Sequence, residues 1–164
     1  MKQIIPLNLT KVKKGIILHG VNCQGVMGGG IAYALVKTYP AIFTRYSQLC
    51  KDAKSPYDLL GEIDPVTITQ DLTIVNCFTQ NFFGTAEPPA SYGAVYECLF
   101  RVVDWAQGHY DTELDMPVYM PQIGCGLGGL DWTIVSQLIE FAEHKFKFKF
   151  NVCDLPENLG IRSH

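Results

Sequence analysis

The sequence predicts an α/β fold with helices laid over both faces of one sheet, and three features carry that prediction. Apolar runs of strand length alternate with stretches whose apolar residues recur every three to four positions, the pattern of a sheet covered on both sides. Twice a strand runs straight into a glycine cluster that opens a helix, at Gly28-Gly29-Gly30 and again at Gly124-Cys-Gly126-Leu-Gly-Gly129. Finally, 164 residues of which 48% are apolar are enough for one core, so residues 1–164 are expected to form a single domain.

In chain order, residues 15–19 read as a buried strand, and after the first glycine loop residues 31–39 read as a helix stopped by Pro40. Residues 72–78, Leu-Thr-Ile-Val-Asn-Cys-Phe, are rich in β-branched and aromatic side chains and form the second clear strand. Pro88-Pro89 closes the loop behind it. From Tyr92 onward Val95, Tyr96, Leu99, Val102, Val103 and Ala106 paint one helical face. Residues 117–121 are a short strand bounded by prolines, and its glycine loop leads into a helix striped with Val135, Leu138, Ile139 and Ala142, with Asp131 at the N-cap. Lysine and phenylalanine alternate over residues 145–150 and run into residues 151–155, and that period of two predicts a closing strand with one wet face. Residues 107–116 read as a surface loop.

Composition narrows the function. The formal net charge is −3 and the basic residues are scattered, so the chain lacks the stripe that tracks a nucleic-acid backbone, and no nucleic-acid polymer is expected as partner. Cys23, Cys50, Cys77, Cys98, Cys125 and Cys153 lack the close pairs of zinc and thiol-redox motifs. They read as free thiols of a reducing compartment, and neither metal nor cofactor is expected. Proline interrupts the first six residues and no apolar run is long enough for a bilayer. A cytoplasmic, monomeric protein with no membrane partner is expected.

A glycine-rich turn between strand and helix aims backbone N–H groups and a helix N-terminus at the crevice above the sheet, where a phosphate fits. Glycine allows the needed backbone angles and the close approach of a ligand. Each cluster alone is equally readable as a packing turn; two in the same strand-loop-helix context favour a shared anion. The second cluster also fits the dinucleotide spacing G-x-G-x-x-G, but that fingerprint opens the first βαβ unit, and here only a helix and a strand follow it.

His19-Gly-Val-Asn-Cys-Gln-Gly-Val-Met-Gly-Gly-Gly-Ile-Ala32, followed by Pro121-Gln-Ile-Gly-Cys-Gly-Leu-Gly-Gly-Leu-Asp-Trp132, resembles the macrodomain family. Within it the chain looks like the branch of ADP-ribose 1″-phosphate phosphatases and terminal ADP-ribose glutamate hydrolases, over residues 5–155. The resemblance implies a three-layer α/β/α macrodomain with a central mixed sheet and a site for ADP-ribose or its 1″-phosphate. Asn8-Leu9-Thr10 stands where the family carries Gly-Asp-Ile-Thr, so Asn8 would offer an amide oxygen to adenine with Leu9 beside it, and Leu155 would line the adenine pocket. Val21 and Asn22 would lie near the distal ribose, and Gly28, Gly29, Gly30 and Ile31 would wrap it. Ile123, Gly124, Cys125, Gly126, Leu127, Gly128 and Gly129 would cradle the pyrophosphate, and the segment with Gln80 and Asn81 would rim the distal ribose.

Two departures bear on chemistry. The glutamate hydrolases use a lysine after the central strand, where this chain has Gln80-Asn81, so no Schiff base can form. Their second-loop aspartate corresponds to Gly128, whose missing side chain would leave room for a 1″-phosphate. Phosphate removal asks for an activated water and dipoles around the phosphoryl charge. His19 and Asn22 are the catalytic candidates, against a structural histidine at a strand end and an Asx-type loop cap. Gln80 and Asn81 read either as donors to the terminal ribose or as loop polarity, and Phe82-Phe83 either as a stacking surface or as core. Cys23 and Cys125 are read as small loop residues. A phosphatase of ADP-ribose 1″-phosphate ranks first, then a non-catalytic reader of ADP-ribose or a related nucleotide, then a hydrolase of ADP-ribosylated protein or nucleic acid.

Overall fold

The computed structural model describes residues 1–83, 89–111 and 116–161. Pro88 and residues 112–115 of the loop expected at 107–116 lie outside the described residues, and within that loop residues 107–109 end a helix. The elements run β1 (Ile4–Pro6), β2 (Gly15–Asn22), α1 (Gly30–Thr38), α2 (Ala41–Asp52), β3 (Ile63–Thr69), β4 (Leu72–Gln80), α3 (Tyr92–His109), β5 (Val118–Met120), α4 (Trp132–Phe146) and β6 (Asn151–Asp154). One six-stranded sheet has the order β1-β6-β5-β2-β4-β3. Every neighbouring pair is parallel except β3 with β4, so the sheet is mixed.

Burial explains that order. β2 and β4 are buried along almost their whole length, as central strands covered on both faces must be. Ile17, Val21, Ile74 and Phe78 face a core completed by Leu35 of α1 and by Ile42 and Tyr46 of α2. Ile16, Leu18, Val75 and Cys77 face the other core, with Val95, Leu99 and Val102 of α3 and Val135 and Ile139 of α4. The result is three layers. β3 closes the β4 edge and carries Pro65, where a residue without an N–H is tolerated.

The elements expected at 31–39, 72–78 and 117–121 agree to within two residues at each end, the strand expected at 15–19 runs on to Asn22, and Asp131 caps α4 by accepting from Thr133 N at 2.8 Å. The expected closing strand needs correction. Residues 145–146 still belong to α4, and Lys147 ends that helix in the left-handed region at φ 51 with its N–H on the Glu143 carbonyl. Only residues 151–154 pair, and they pair on both sides, with β1 and β5. The alternation over 145–150 instead buries Phe148 and Phe150, ring centroids 5.0 Å apart, as the chain re-enters the core. Among the described residues no helix is long and apolar enough to cross a membrane.

Candidate functional site

Because β6, β5, β2 and β4 are parallel, their carboxyl ends share one edge of the sheet, where ligands of open α/β folds bind. A crevice of about 980 Å³ runs along that edge. With strands about 4.8 Å apart, the three gaps from β6 to β4 make it roughly 14 Å long. Asp154, Asn158 and Cys153 line it at the β6 end; Thr79 and Gln80 line it at the β4 end.

Both glycine turns line the middle, and they meet. A Cβ on Gly29 would lie 2.8 Å from Leu127 Cδ1, so the second turn reaches over the first. Gly29 caps α1 with no side chain to offer, which leaves the N–H groups of Gly30, Ile31 and Ala32 without intrahelical partners at the positive end of the helix dipole. Gly30 enters the helix at φ +58, which a side chain would resist. In the second turn Cys125 N bonds to the Gln122 carbonyl and Leu130 N to the Gly124 carbonyl. The N–H groups of Gly124, Gly126, Leu127 and Gly128 have no acceptor among the described residues. Residues of both sets of unsatisfied backbone donors line one crevice, an arrangement suited to an anion.

The first turn is held by a polar knot. Asn22 Oδ1 accepts from Gln24 N at 2.9 Å, its Nδ2 donates to the Val26 carbonyl at 2.8 Å, and the Tyr46 hydroxyl lies 2.8 Å from Oδ1. The Asx-type role is thus what the structure shows for Asn22, which lines the crevice while its amide oxygen is committed to the loop. Sequence reasoning did not find Tyr46.

His19 is not in the crevice. It is fully buried, and its Nε2 is 2.6 Å from Asn76 Oδ1. Asn76 Nδ2 donates in turn to the Ile42 carbonyl and to Asp64, which Arg45 meets at 2.9 Å. Burial pulls the His19 pKa down to about 4, with the Asn76 bond opposing. His19 is a neutral core residue on the α2 side, which corrects its expected catalytic role.

Asn8 caps a short 3-10 turn, its Oδ1 accepting from Thr10 N and from the Thr10 hydroxyl, and it does not line the crevice. Leu9 is buried in the α1 side core, and Leu155, Asn81 and Gly129 also stand outside the lining; Asn81 accepts instead from the Gln24 side chain. Val21, Gly28, Gly29, Gly30, Ile31, Gln80, Ile123, Gly124, Cys125, Gly126, Leu127 and Gly128 line it. Gly128 does not widen the site, since a Cβ there would strike the Gly124 carbonyl at 2.5 Å and Ala90 at 2.9 Å. Phe82 and Phe83 are exposed, which removes the core reading, and Phe83 lies at the rim. Thr79, Asp154 and Asn158 were missed because only the sheet order brings them to this edge, and Gln122 and Trp132 because the reading of the second motif stopped at its glycine turn, which they flank.

Chemically the lining is unusual for an anion site. Among its described residues Asp154 is the one charged side chain, and there is no lysine, arginine or histidine. Burial pushes the Cys23 thiol up to about 12 and the Cys125 thiol up to about 11, which favours the protonated thiol over the nucleophilic thiolate at neutral pH. Negative charge must be held by backbone dipoles.

Comparison with known proteins agrees with this geometry. The Macro domain family model matches residues 18–139. The DNA ADP-ribosyl glycohydrolase of Mycobacterium tuberculosis is 30% identical over 131 residues, 79% of this chain and 35% of the relative, so the chain spans about a third of that protein's length. The ADP-ribose 1″-phosphate phosphatase of Saccharomyces cerevisiae is 29% identical over 147 residues, 76% of this chain and 82% of the relative. Among solved structures, the macrodomain of Mycobacterium tuberculosis DarG superposes with a TM-score of 0.75 at 26% identity, covering 93% of this chain and 97% of that one.

Proposed function

The chain belongs to the Macro domain family, and we propose that it holds ADP-ribose along the crevice and hydrolyses ADP-ribose 1″-phosphate there. The observation that carries this reading is the pair of turns, in contact at Gly29 and Leu127, whose N–H groups lack acceptors and whose crevice has no cationic side chain among the described residues. Such a cradle suits a diphosphate at its centre, and the roughly 14 Å edge leaves room for a nucleoside on one side and a sugar on the other. The resemblance puts adenine near Leu155, at the β6 end. There Asp154 Oδ1 already accepts from Leu155 N and Asn158 Nδ2, and its second oxygen takes over from Asn8 as acceptor for the adenine amino group. The terminal ribose then lies at the β4 end, beside Gln80.

With no thiolate and no lysine at the site, the attacking group is water, and the turn amides stabilise the charge that gathers on the phosphoryl oxygens. The Saccharomyces cerevisiae phosphatase, similar over most of both chains, supports this substrate. Phosphate release from ADP-ribose 1″-phosphate tests it: turnover above buffer is expected, and none, with ADP-ribose still bound, would leave a reader in place of an enzyme. Likeness to the mycobacterial DNA ADP-ribosyl glycohydrolase favours a second reading, release of ADP-ribose from modified DNA. It ranks lower because Gln80-Asn81 stands where the resemblance implies a lysine, and ADP-ribosylated DNA in the same assay decides between them. All six cysteines are free thiols, which supports a cytoplasmic setting.

A further inference from the structure

At the β4 end of the crevice the two central strands lose register. Val21 pairs with Phe78 and Asn22 with Gln80, so Thr79 is the extra residue of a bulge, a device that re-aims a side chain beside functional sites. Thr79 is fully buried, lines the crevice, and its Oγ1 has no hydrogen-bond partner among the described residues. Native proteins leave few buried hydroxyls unpaired, and one at a cavity wall calls for a partner that the cavity brings. The neighbouring strand makes way for it: a Cβ on Gly20 would sit 2.6 Å from that hydroxyl, and Gly20 also lines the crevice. Bulge, missing side chain and unpaired oxygen all meet at one point, beside Ile123.

We infer that the Thr79 hydroxyl is a specificity-determining contact for the terminal ribose end of the ligand. This rests on the ADP-ribose reading above and adds to it a residue that recognises the sugar instead of the diphosphate. The sheet order supports that placement, because β4 lies three strands from the Asp154 end, beyond the turns that hold the phosphates.

Thr79→Val keeps the shape and removes the hydroxyl. Titration calorimetry of both proteins with ADP-ribose and with ADP, which lacks the terminal ribose, reads the contact. The variant is expected to bind ADP-ribose about tenfold more weakly, to bind ADP as the wild type does, and to melt at the same or a higher temperature, since an unpaired buried hydroxyl has been removed. Thr79→Ser is expected to regain most of the affinity. Unchanged ADP-ribose affinity in Thr79→Val, or an equal loss for both ligands with a lowered melting temperature, overturns the inference and leaves the ADP-ribose site standing. A wild-type protein that binds neither ligand overturns the site itself and this contact with it.

Discussion

Gly126 and Gly128 are two residues apart in one turn, yet a side chain would meet opposite fates at them. Nothing lies within 4 Å of a Cβ at Gly126, whereas one at Gly128 collides with backbone. Gly126→Val should therefore keep its melting temperature and lose ADP-ribose affinity at least tenfold, the branched side chain standing in the cradle. Gly128→Ala should lose about 1–3 kcal/mol of stability to overpacking. Thermal melts and calorimetry on the two variants check both halves, and wild-type affinity in Gly126→Val would contradict the cradle. His19 offers a test by pH. Its folded pKa is lowered from 6.5 to about 4, so between those values the unfolded chain binds the extra proton. The stability His19 confers is full above pH 6.5 and is lost as pH falls toward 4, by about 3 kcal/mol. Asp64, its pKa raised chiefly by burial, acts in the opposite sense, which is why the comparison must be with His19→Gln. Urea denaturation at pH 7 and 4.5 should show a larger loss for the wild type than for that variant, and equal losses would refute the assignment. The sequence placed His19 one residue from Gly20 of the crevice wall; alternation along a strand turned its ring to the other face, and proximity in the chain carries no such information.

The elements show the same division between what local pattern conveys and what packing adds. α3 and α4 were legible because their apolar stripes are long and, at α4, headed by a capping aspartate. α2 went unread although Ile42, Tyr46 and Leu49 are spaced for one face, since Pro40 ends α1 and also begins α2 as its cap. That unread helix supports the site. Tyr46, fully buried and tilted against Phe78 with ring centroids 5.7 Å apart, places its hydroxyl within 2.9 Å of both oxygens of Asn22. Tyr46→Phe should cost about 1–2 kcal/mol for the lost buried hydrogen bond. It should also weaken ADP-ribose binding several-fold by loosening the first turn, without any contact to ligand. Denaturation and calorimetry measured together check this. A stability loss with affinity intact would mean that the Asn22 network holds the turn unaided.

At the scale of the whole molecule, the sequence displayed the two turns about a hundred residues apart, and the sheet order is what brings them into contact. That order also delivered Asp154 and Thr79 to the crevice, neither of which lies in a glycine motif, while Asn8 stays outside the lining with its amide oxygen held by Thr10. The assembled site yields a prediction in which the electrostatic sign matters. ADP-ribose is an anion, the chain carries a net −3, and Asp154 is the one charged side chain among the described lining residues. Long-range electrostatics therefore oppose binding slightly, and the favourable part comes from amide dipoles within hydrogen-bond reach, where salt screens little. Raising the ionic strength from about 0.01 M to about 0.15 M, which shortens the screening length from about 30 Å to about 8 Å, should leave the Kd unchanged or lower it up to about twofold. A cradle built on lysine or arginine would respond the other way, its Kd climbing as those charges are screened. Calorimetry at the two salt concentrations separates the alternatives, and a rise in Kd of about fivefold or more would show cationic side chains at the phosphates and refute a purely main-chain cradle.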